Sequence, residues 1–394
     1  MALRIALSGF VVLVVAMGIG RFAFTPQVPL MIAAGQLTLT SAGLVAAMNY
    51  LGYLVGAWDA MRAHRFVETR LWLGITGAVA LTLLSAAADN AVVHGLLRFV
   101  IGCMSGWSMV LIAAWTNERL GQLGKPGLSA AVFAGPGAGI ALSGLLAVYI
   151  QAKSLSAGAA WQIYGVLALV LIVLVARYLP RSGQLHRPGT APEPLLLTAD
   201  LKRLVWSYSL AGFGYIFPAT FLSQMAAVRF PGSLFAQFVW PIFGAASVVG
   251  IALSIALRHT SSANRRLAIV LWLQGIGVLA AWLLPGIGGL LTGGLLPGIG
   301  GLLTGGLLVG GGFLCAVQLS LLYGRELAPD HTRYMAGLLT TGYAIGQLVG
   351  PVTSALSTWL THRLEPALGL AGIALFVGGA LVWNRQAERQ QQLQ

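Results

Sequence analysis

The sequence predicts an all-α polytopic membrane protein with twelve transmembrane helices in two six-helix bundles. Two observations on composition and pattern support this fold class. Hydrophobic residues make up 57% of the 394 positions and charged residues only 8%, which excludes an ordinary soluble globular protein. Apolar stretches of about 20 residues, the length that spans the hydrocarbon core, recur along the chain between short polar or Gly/Pro-marked connections.

Twelve stretches are long and apolar enough to be transmembrane helices. Their predicted ranges are 5–31, 40–61, 70–88, 91–115, 128–150, 161–179, 203–225, 236–257, 267–284, 300–323, 335–358 and 366–383. The longest polar connection comes after the sixth stretch and divides the helices equally. We therefore expect an N-terminal bundle at 1–180, a cytoplasmic linker at 181–202, a C-terminal bundle at 203–384 and a cytoplasmic tail at 385–394.

The positive charges test this helix count and give an orientation. If both termini are cytoplasmic, eighteen of the 23 lysines and arginines fall in cytoplasmic segments, and only Lys153, Arg229 and Arg363 fall in outer connections. This is the bias expected of a correctly assigned membrane protein. The net charge of +13 is then explained by loops held inside and by anionic lipid, so no nucleic-acid partner is expected.

Two arginines, Arg21 and Arg98, lie inside apolar stretches. A charge at such depth costs about 2.5 to 3.5 kcal/mol on insertion scales, so it faces a bundle interior or a watery cavity. The guanidinium fork suits carboxylate, sulfonate or phosphate, which favours an anionic solute. The alternative for each arginine is that it caps backbone carbonyls or braces neighbouring helices.

The acidic residues and cysteines narrow the chemistry. All ten acidic residues fall at helix ends, in loops or in the tail, whereas a pump for cationic drugs usually needs a carboxylate within the membrane. Cys103 and Cys315 have no metal-type spacing, and the helices hold no nucleophile or metal constellation. We expect no metal, no cofactor and no enzyme activity, and the sequence leaves open whether a proton is co-transported.

Two motifs repeat between the halves, as in many secondary transporters. Helix one and helix seven share a Gly-x-Gly pattern before a polar residue, and helices five and eleven share a Gly-Pro pair. The pairs are Gly18-x-Gly20-Arg21 with Gly212-x-Gly214-Tyr215, and Gly135-Pro136 with Gly350-Pro351.

Together with Phe22, Thr25-Pro26, Asn49-Tyr50-Leu51-Gly52-Tyr53, Arg98-Phe99 with Gly102, and Gly346-Gln347, these motifs resemble the major facilitator superfamily. Within it, the chain is similar to the YbfB/YjiJ-like branch of bacterial transporters. The resemblance implies the major facilitator fold, with a central cavity lined by helices one, four, seven and ten. It also implies a monomer in the bacterial cytoplasmic (inner) membrane.

We expect the two arginines to share that cavity with polar and aromatic residues of helices two, seven, ten and eleven. The candidate substrate-binding residues are Arg21, Arg98, Asn49, Tyr53, Tyr215, Thr220, Gln318, Tyr343 and Gln347. Candidate positions for helix bending and gating are Gly135, Pro136, Gly139, Gly350 and Pro351, with Asp59 and Arg65 as an inner-gate charge network. The glycine-proline run of helix five resembles the antiporter-associated signature of the superfamily, which favours efflux.

A segment of twelve residues at 283–294 is repeated without change at 295–306. If both copies were helical, the insertion would rotate the remainder of the helix by about 120°. We expect the first copy to form an outer loop or re-entrant turn and the second to lead into helix ten.

The favoured function is therefore a secondary transporter of a small organic, anionic solute that works by alternating access. Two other functions fit the same scaffold. One is a proton-coupled efflux antiporter for drugs or amphiphiles, and the other is a non-transporting membrane sensor.

Overall fold

The structure is a computed structural model that describes residues 1–125, 127–185, 195–291 and 299–383. Every regular element in these ranges is a helix. The expected tail from 385, residues 186–194 of the linker and the junction of the duplicated segment lie outside the described residues.

Eight α-helices form the N-terminal part of the chain. They are α1 (Ala2–Leu13), α2 (Phe24–Ala33), α3 (Leu39–Arg62), α4 (Val67–Leu84), α5 (Ala91–Gln122), α6 (Leu128–Val132), α7 (Gly135–Ala152) and α8 (Ala157–Val175). A π-helix, Val14–Ile19, comes directly after α1, and short 3₁₀ turns come after α4 and α8.

Seven α-helices form the C-terminal part. They are α9 (Ala199–Arg229), α10 (Leu234–Gln237), α11 (Val239–Ala256), α12 (Ala263–Leu291), α13 (Ile299–Leu327), α14 (Thr332–Thr361) and α15 (Glu365–Val382). Side-chain caps begin several helices throughout the chain. Thr38 and Ser41 form a capping box at α3, and Asn90 and Thr198 accept backbone N–H groups at α5 and α9.

Ten segments of the described chain are long and apolar enough to cross a membrane. The helices α9 and α14 are also long, at 31 and 30 residues, but are not among these ten. The outer face of α8 exposes Val166, Leu169, Val170, Val173 and Leu174, an arrangement that suits lipid and not water. The chain is thus a multi-pass membrane protein.

Glycines bring neighbouring helices into backbone contact. A methyl group on Gly102 of α5 would collide with the carbonyl oxygen of Asn49 on α3, and one on Gly52 would collide with that of Phe99. In the C-terminal part, Gly250 of α11 lies equally close to Gly311 of α13. Such small-residue contacts replace the hydrophobic effect, which does not operate between helices in lipid.

The most extensive contacts between the N-terminal and C-terminal parts are those of α3 with α14, α7 with α11, and α2 with α9. Gly43 packs against the carbonyl of Pro351 in the first pair, and Gly144 packs against Pro241 in the second. If α3, α7, α11 and α14 are helices two, five, eight and eleven, then the repeat relates helix two to helix eight and helix five to helix eleven. The pair α3 with α14 is then equivalent to the pair α11 with α7.

Helices one and five cross a membrane length as predicted, at Ala2–Ala33 and Leu128–Ala152. Their internal hydrogen bonding is irregular, because a π-helix and a turn separate α1 from α2, and α7 starts at Gly135-Pro136 after the short helix α6. One expectation needs correction. The first copy of the duplicated segment is helical as far as Leu291, not a loop.

The helical first copy has a physical reason. In a bilayer, an open loop leaves backbone groups unpaired at several kcal/mol each, whereas glycine costs a helix only about 1 kcal/mol per residue. The second copy does lead into the next helix, because α13 begins within it at Ile299.

We predict that Gly102→Ala lowers the free energy of unfolding by about 1 to 3 kcal/mol, because the added methyl group overpacks the contact between α3 and α5. Gly121→Ala is the matched control on the same helix, since a methyl there meets nothing within 4 Å. Thermal unfolding in detergent measures both variants. Equal stabilities would contradict the tight contact.

Candidate functional site

The interruption of helix one places Arg21 at the centre of the molecule. The backbone leaves the π-helix at Gly20 and passes through a turn before α2 begins at Phe24. A close approach by α7 accompanies this geometry, since Gly18 lies against the backbone of Gly139 with no room for a Cβ at either position. Irregular turns of this kind occur frequently at functional sites.

The interrupted helix has carbonyl groups that helix α5 satisfies. Ser105 Oγ donates a hydrogen bond to the carbonyl oxygen of Ala16 at 2.8 Å, and Arg98 Nη1 donates to that of Gly20 at 3.1 Å. A buried carbonyl without a donor is costly, so these two side chains stabilise the break. Arg98 therefore has the second of the two roles that its position in an apolar stretch allowed: it caps backbone.

The guanidinium of Arg98 packs on other aromatic rings than that of Arg21. Its guanidinium carbon lies 4.6 Å from the ring centroid of Trp161 on α8, and its Nε and Nη2 have no hydrogen-bond partner among the described residues. The amide of Asn49, another candidate binding residue, donates to the backbone oxygen of Arg98 at 2.9 Å. Both residues thus brace the N-terminal helices in this closed structure, and one cavity shared by the two arginines stays a prediction.

Arg21 is 3% exposed and lies between the N-terminal and C-terminal helices. Its Nη2 donates to Oε1 of Gln347 on α14 at 3.0 Å, and its Nε has no partner in the described chain. The guanidinium carbon lies 4.1 Å from the ring centroid of Tyr53 and 4.9 Å from that of Tyr50. Aromatic faces attract the cation, but no described carboxylate pairs with it.

Gln347 connects this arginine to the C-terminal helices. Its Nε2 donates to the hydroxyl oxygen of Tyr215 at 2.5 Å, so that Arg21, Gln347 and Tyr215 form a hydrogen-bonded chain across α14 to α9. Tyr343 of α14 stacks on Tyr215, with ring centroids 5.4 Å apart. Five candidate residues predicted from the sequence therefore lie together: Arg21, Tyr53, Tyr215, Tyr343 and Gln347.

Further hydrogen bonds cross between the two parts beside this chain. The hydroxyl groups of Tyr50 and Thr220 are 3.1 Å apart, and Thr25 Oγ1 donates to the carbonyl oxygen of Ala219. Thr220 therefore lies at the interface, as expected. Gln318 on α13 is half-buried, and its Oε1 has no described partner.

The site is closed in this structure. Tyr215 and Gln347 are each 1% exposed, and Tyr53 and Tyr343 each 7%. The described surface has a cavity of about 580 Å³ elsewhere, lined by Trp72, Ala176, Arg177, Arg181 and Ser182 near the linker. That cavity is open at the surface, and none of the candidate residues lines it. We therefore take the closed region around Arg21 as the candidate site.

The expected inner-gate network has different partners. Asp59 pairs with Arg70 Nε at 2.7 Å and accepts a hydrogen bond from Trp107 Nε1 at 2.8 Å. Arg65 is exposed and contributes its backbone oxygen to Arg70. The network therefore joins α3, α4 and α5 to one another, within the N-terminal helices.

The expected bending positions lie at helix contacts. Gly135 packs on Phe10 of α1, and Gly350 packs on Ile216 of α9. Pro136 begins α7, whereas Pro351 lies within α14. The repeated motifs thus place small residues where helix five meets helix one and where helix eleven meets helix seven.

Aromatic residues of the site were not among the candidates from sequence. They are Tyr50, Phe22, Tyr208 and Phe313. A signal for Tyr208 was present, because it lies seven residues before the candidate Tyr215 and therefore on the same face of a helix.

Comparison with known proteins agrees with this architecture. The family described as "Uncharacterised MFS-type transporter YbfB" matches the chain over residues 13–383. This match confirms the family resemblance drawn from the sequence motifs. No curated protein sequence matches the chain.

We predict that Gln347→Leu lowers the free energy of unfolding by about 1 to 3 kcal/mol, because it leaves the buried guanidinium of Arg21 without its acceptor. Gln347→Glu is the matched variant and should be at least as stable as the native protein, since it gives the arginine a counter-charge. Thermal unfolding in detergent ranks the native protein and the two variants by stability. A leucine variant as stable as the native protein would show that the contact is unimportant.

Proposed function

The chain belongs to this family of MFS-type transporters, and from that premise we propose that it moves a small organic anion across the membrane by alternating access. The observation that carries the proposal is the state of Arg21. Its charge is buried where the two parts of the chain meet, it forms no ion pair with any described residue, and a neutral amide holds one edge of it. A substrate carboxylate, sulfonate or phosphate supplies the missing counter-charge.

The positions of the acidic residues support an anion and not a cation. The side chains described for Asp59, Glu68, Asp89, Glu118, Asp200, Glu326 and Glu365 all belong to loops or to the first or last turns of helices. None of them contacts Arg21. A cationic substrate would meet an uncompensated positive charge in this site, which is repulsive at low dielectric.

The helix contacts support two six-helix halves at 1–180 and 203–384, joined by the linker at 181–202. In this arrangement α1 to α8 make up helices one to six, and α9 to α15 make up helices seven to twelve. The pairs α3 with α14 and α7 with α11 occupy related places in the two halves. The charge bias supports cytoplasmic termini in the bacterial inner membrane, and we expect a monomer.

Alternating access also accounts for the closure of the site. At the start of α3, Thr40 Oγ1 is 2.8 Å from Thr358 Oγ1 near the end of α14. At the opposite end of the same helix pair, Met61 packs beside Gly337. Contact at both ends is typical of an occluded state, and separation of either end opens Arg21 to one side of the membrane.

We predict that Arg21→Ala abolishes transport of organic anions and that Arg21→Lys weakens their apparent affinity about tenfold or more. The lysine keeps the charge but loses the bidentate fork, and a hydrogen bond to a charged group contributes about 1.5 to 3 kcal/mol. Counterflow in proteoliposomes with labelled lactate, succinate, benzoate and methanesulfonate measures this, because exchange needs no coupling ion.

Size-exclusion chromatography and thermal unfolding check that each variant is folded. A folded Arg21→Ala protein that still exchanges these anions would contradict the anion site. If the Arg21→Ala protein takes up cations such as tetraphenylphosphonium in a pH gradient, the result would instead support the efflux antiporter. The same assay at several pH values shows whether a proton accompanies the solute.

We predict that a disulfide between Thr40→Cys and Thr358→Cys stops transport, because it holds one end of α3 and α14 together. The background carries Cys103→Ala and Cys315→Ala, and each single cysteine variant is the control. Counterflow is measured after oxidation and again after reduction. Undiminished exchange by a fully cross-linked protein would show that this end does not open.

A further inference from the structure

Near-parallel aromatic rings form a stack on the C-terminal side of the site. We call Tyr208, Tyr343, Tyr215 and Phe313 the aromatic stack. Consecutive ring centroids are 4.3, 5.4 and 4.8 Å apart, and the interplanar angles are 21°, 13° and 14°. The rings come from α9, α13 and α14, so three helices contribute to one row of planar faces.

The stack lies directly beside the charge of Arg21. Phe22, the next residue in the chain, packs against Phe313 in an edge-to-face arrangement with centroids 5.8 Å apart. On the other side, Gln347 joins Arg21 to the hydroxyl of Tyr215. A cation on the N-terminal half and planar faces on the C-terminal half therefore meet at one point of the interface.

The guanidinium offers a particular edge at this point. Nη2 is held by the neutral oxygen of Gln347, and the adjacent Nε has no partner among the described residues. These two donors form one side of the guanidinium, and two parallel N–H···O bonds along such a side are the geometry of a bidentate carboxylate. A ligand carboxylate that replaces the Gln347 oxygen satisfies both donors at once.

The position of Gln347 determines where the rest of such a ligand lies. Because its amide bridges Arg21 and Tyr215, a group that displaces it from the arginine lies against the ring of Tyr215. There Phe313 and Tyr343 stack on Tyr215, so a ligand ring at this point meets the edges of the stacked rings. Aromatic pairs in offset-stacked or edge-to-face geometry are favoured beyond the area they bury.

We propose that the substrate is an aromatic carboxylate with a single planar ring. Its carboxylate binds the Nε and Nη2 edge of Arg21 in place of Gln347, and its ring packs on the aromatic stack. This inference rests on the proposed function, since it specifies the anion that the Arg21 site accepts.

The test compares four probes by isothermal titration calorimetry on the purified full-length protein in detergent. Benzoate carries both features, cyclohexanecarboxylate has the same size without a planar ring, acetate has no ring, and benzyl alcohol has no charge. We expect benzoate to bind about two- to tenfold more tightly than cyclohexanecarboxylate, the range that an aromatic contact supplies. Acetate and benzyl alcohol should bind much more weakly than either.

Two phenylalanine variants separate the stack from general packing. Phe313→Leu removes one ring of the stack, whereas Phe217→Leu removes a buried ring of α9 that packs on Phe221 instead. We expect the preference for benzoate over cyclohexanecarboxylate to fall towards one in Phe313→Leu and to remain in Phe217→Leu. Because the ratio compares two ligands on one folded sample, a loss of stability alone does not change it.

Each failure has a distinct meaning. If both ring carboxylates bind equally, depend on Arg21 and ignore Phe313→Leu, the aromatic preference is overturned and the anion transporter stands. If benzyl alcohol binds as well as benzoate, the carboxylate assignment is overturned. If no carboxylate binds in titration and none exchanges in proteoliposomes, the proposed function fails together with this inference.

Discussion

The burial of the Arg21 charge without an ion pair is the constraint on which the structure depends. A buried cation is costly unless it is compensated, and here the described compensation is one neutral amide and the rings of Tyr53, Tyr50 and Phe22. Each aromatic face within 6 Å contributes about 2 kcal/mol or more when desolvated. The charge is therefore stabilised but not neutralised by any described residue.

The N-terminal half holds this charge in place by rigid means. The interruption of helix one is fixed by Ser105 and Arg98, which donate to its carbonyl groups, and by the backbone contact of Gly18 with Gly139. Arg98 thus acts on Arg21 through the backbone between them. A second intramembrane arginine stabilises the irregular turn that presents the first, and the two charges have separate tasks.

Hydropathy predicted the helices well because each span must pair its own backbone and be apolar over a defined length. Hydropathy could not predict the irregular turn at Gly20, because that turn depends on hydrogen-bond donors from α5 and on the close approach of α7. The sequence predicted one cavity for Arg98 and Arg21 but gave no side-chain direction, and in the structure the guanidinium of Arg98 packs on Trp161. Arg21, Tyr215 and Gln347 were found because polar groups in apolar stretches stand out. Phe313 could not be recognised in this way, because a hydrophobic residue in an apolar stretch does not differ in polarity from its neighbours.

The two kinds of contact between the halves suit a molecule that must open and close. Gly137, Gly144 and Gly244 let α7 and α11 approach closely, with Gly137 against Ser247 and Gly144 against Pro241. The specific contacts elsewhere are side-chain hydrogen bonds, such as those of Tyr50 with Thr220 and Arg21 with Gln347. Hydrogen bonds between membrane helices average about 0.6 kcal/mol, so breaking a few of them is within reach of thermal motion. In the proposed mechanism, a ligand that takes over the bond of Gln347 to Arg21 frees that amide, and this would couple occupancy of the site to the movement of the halves.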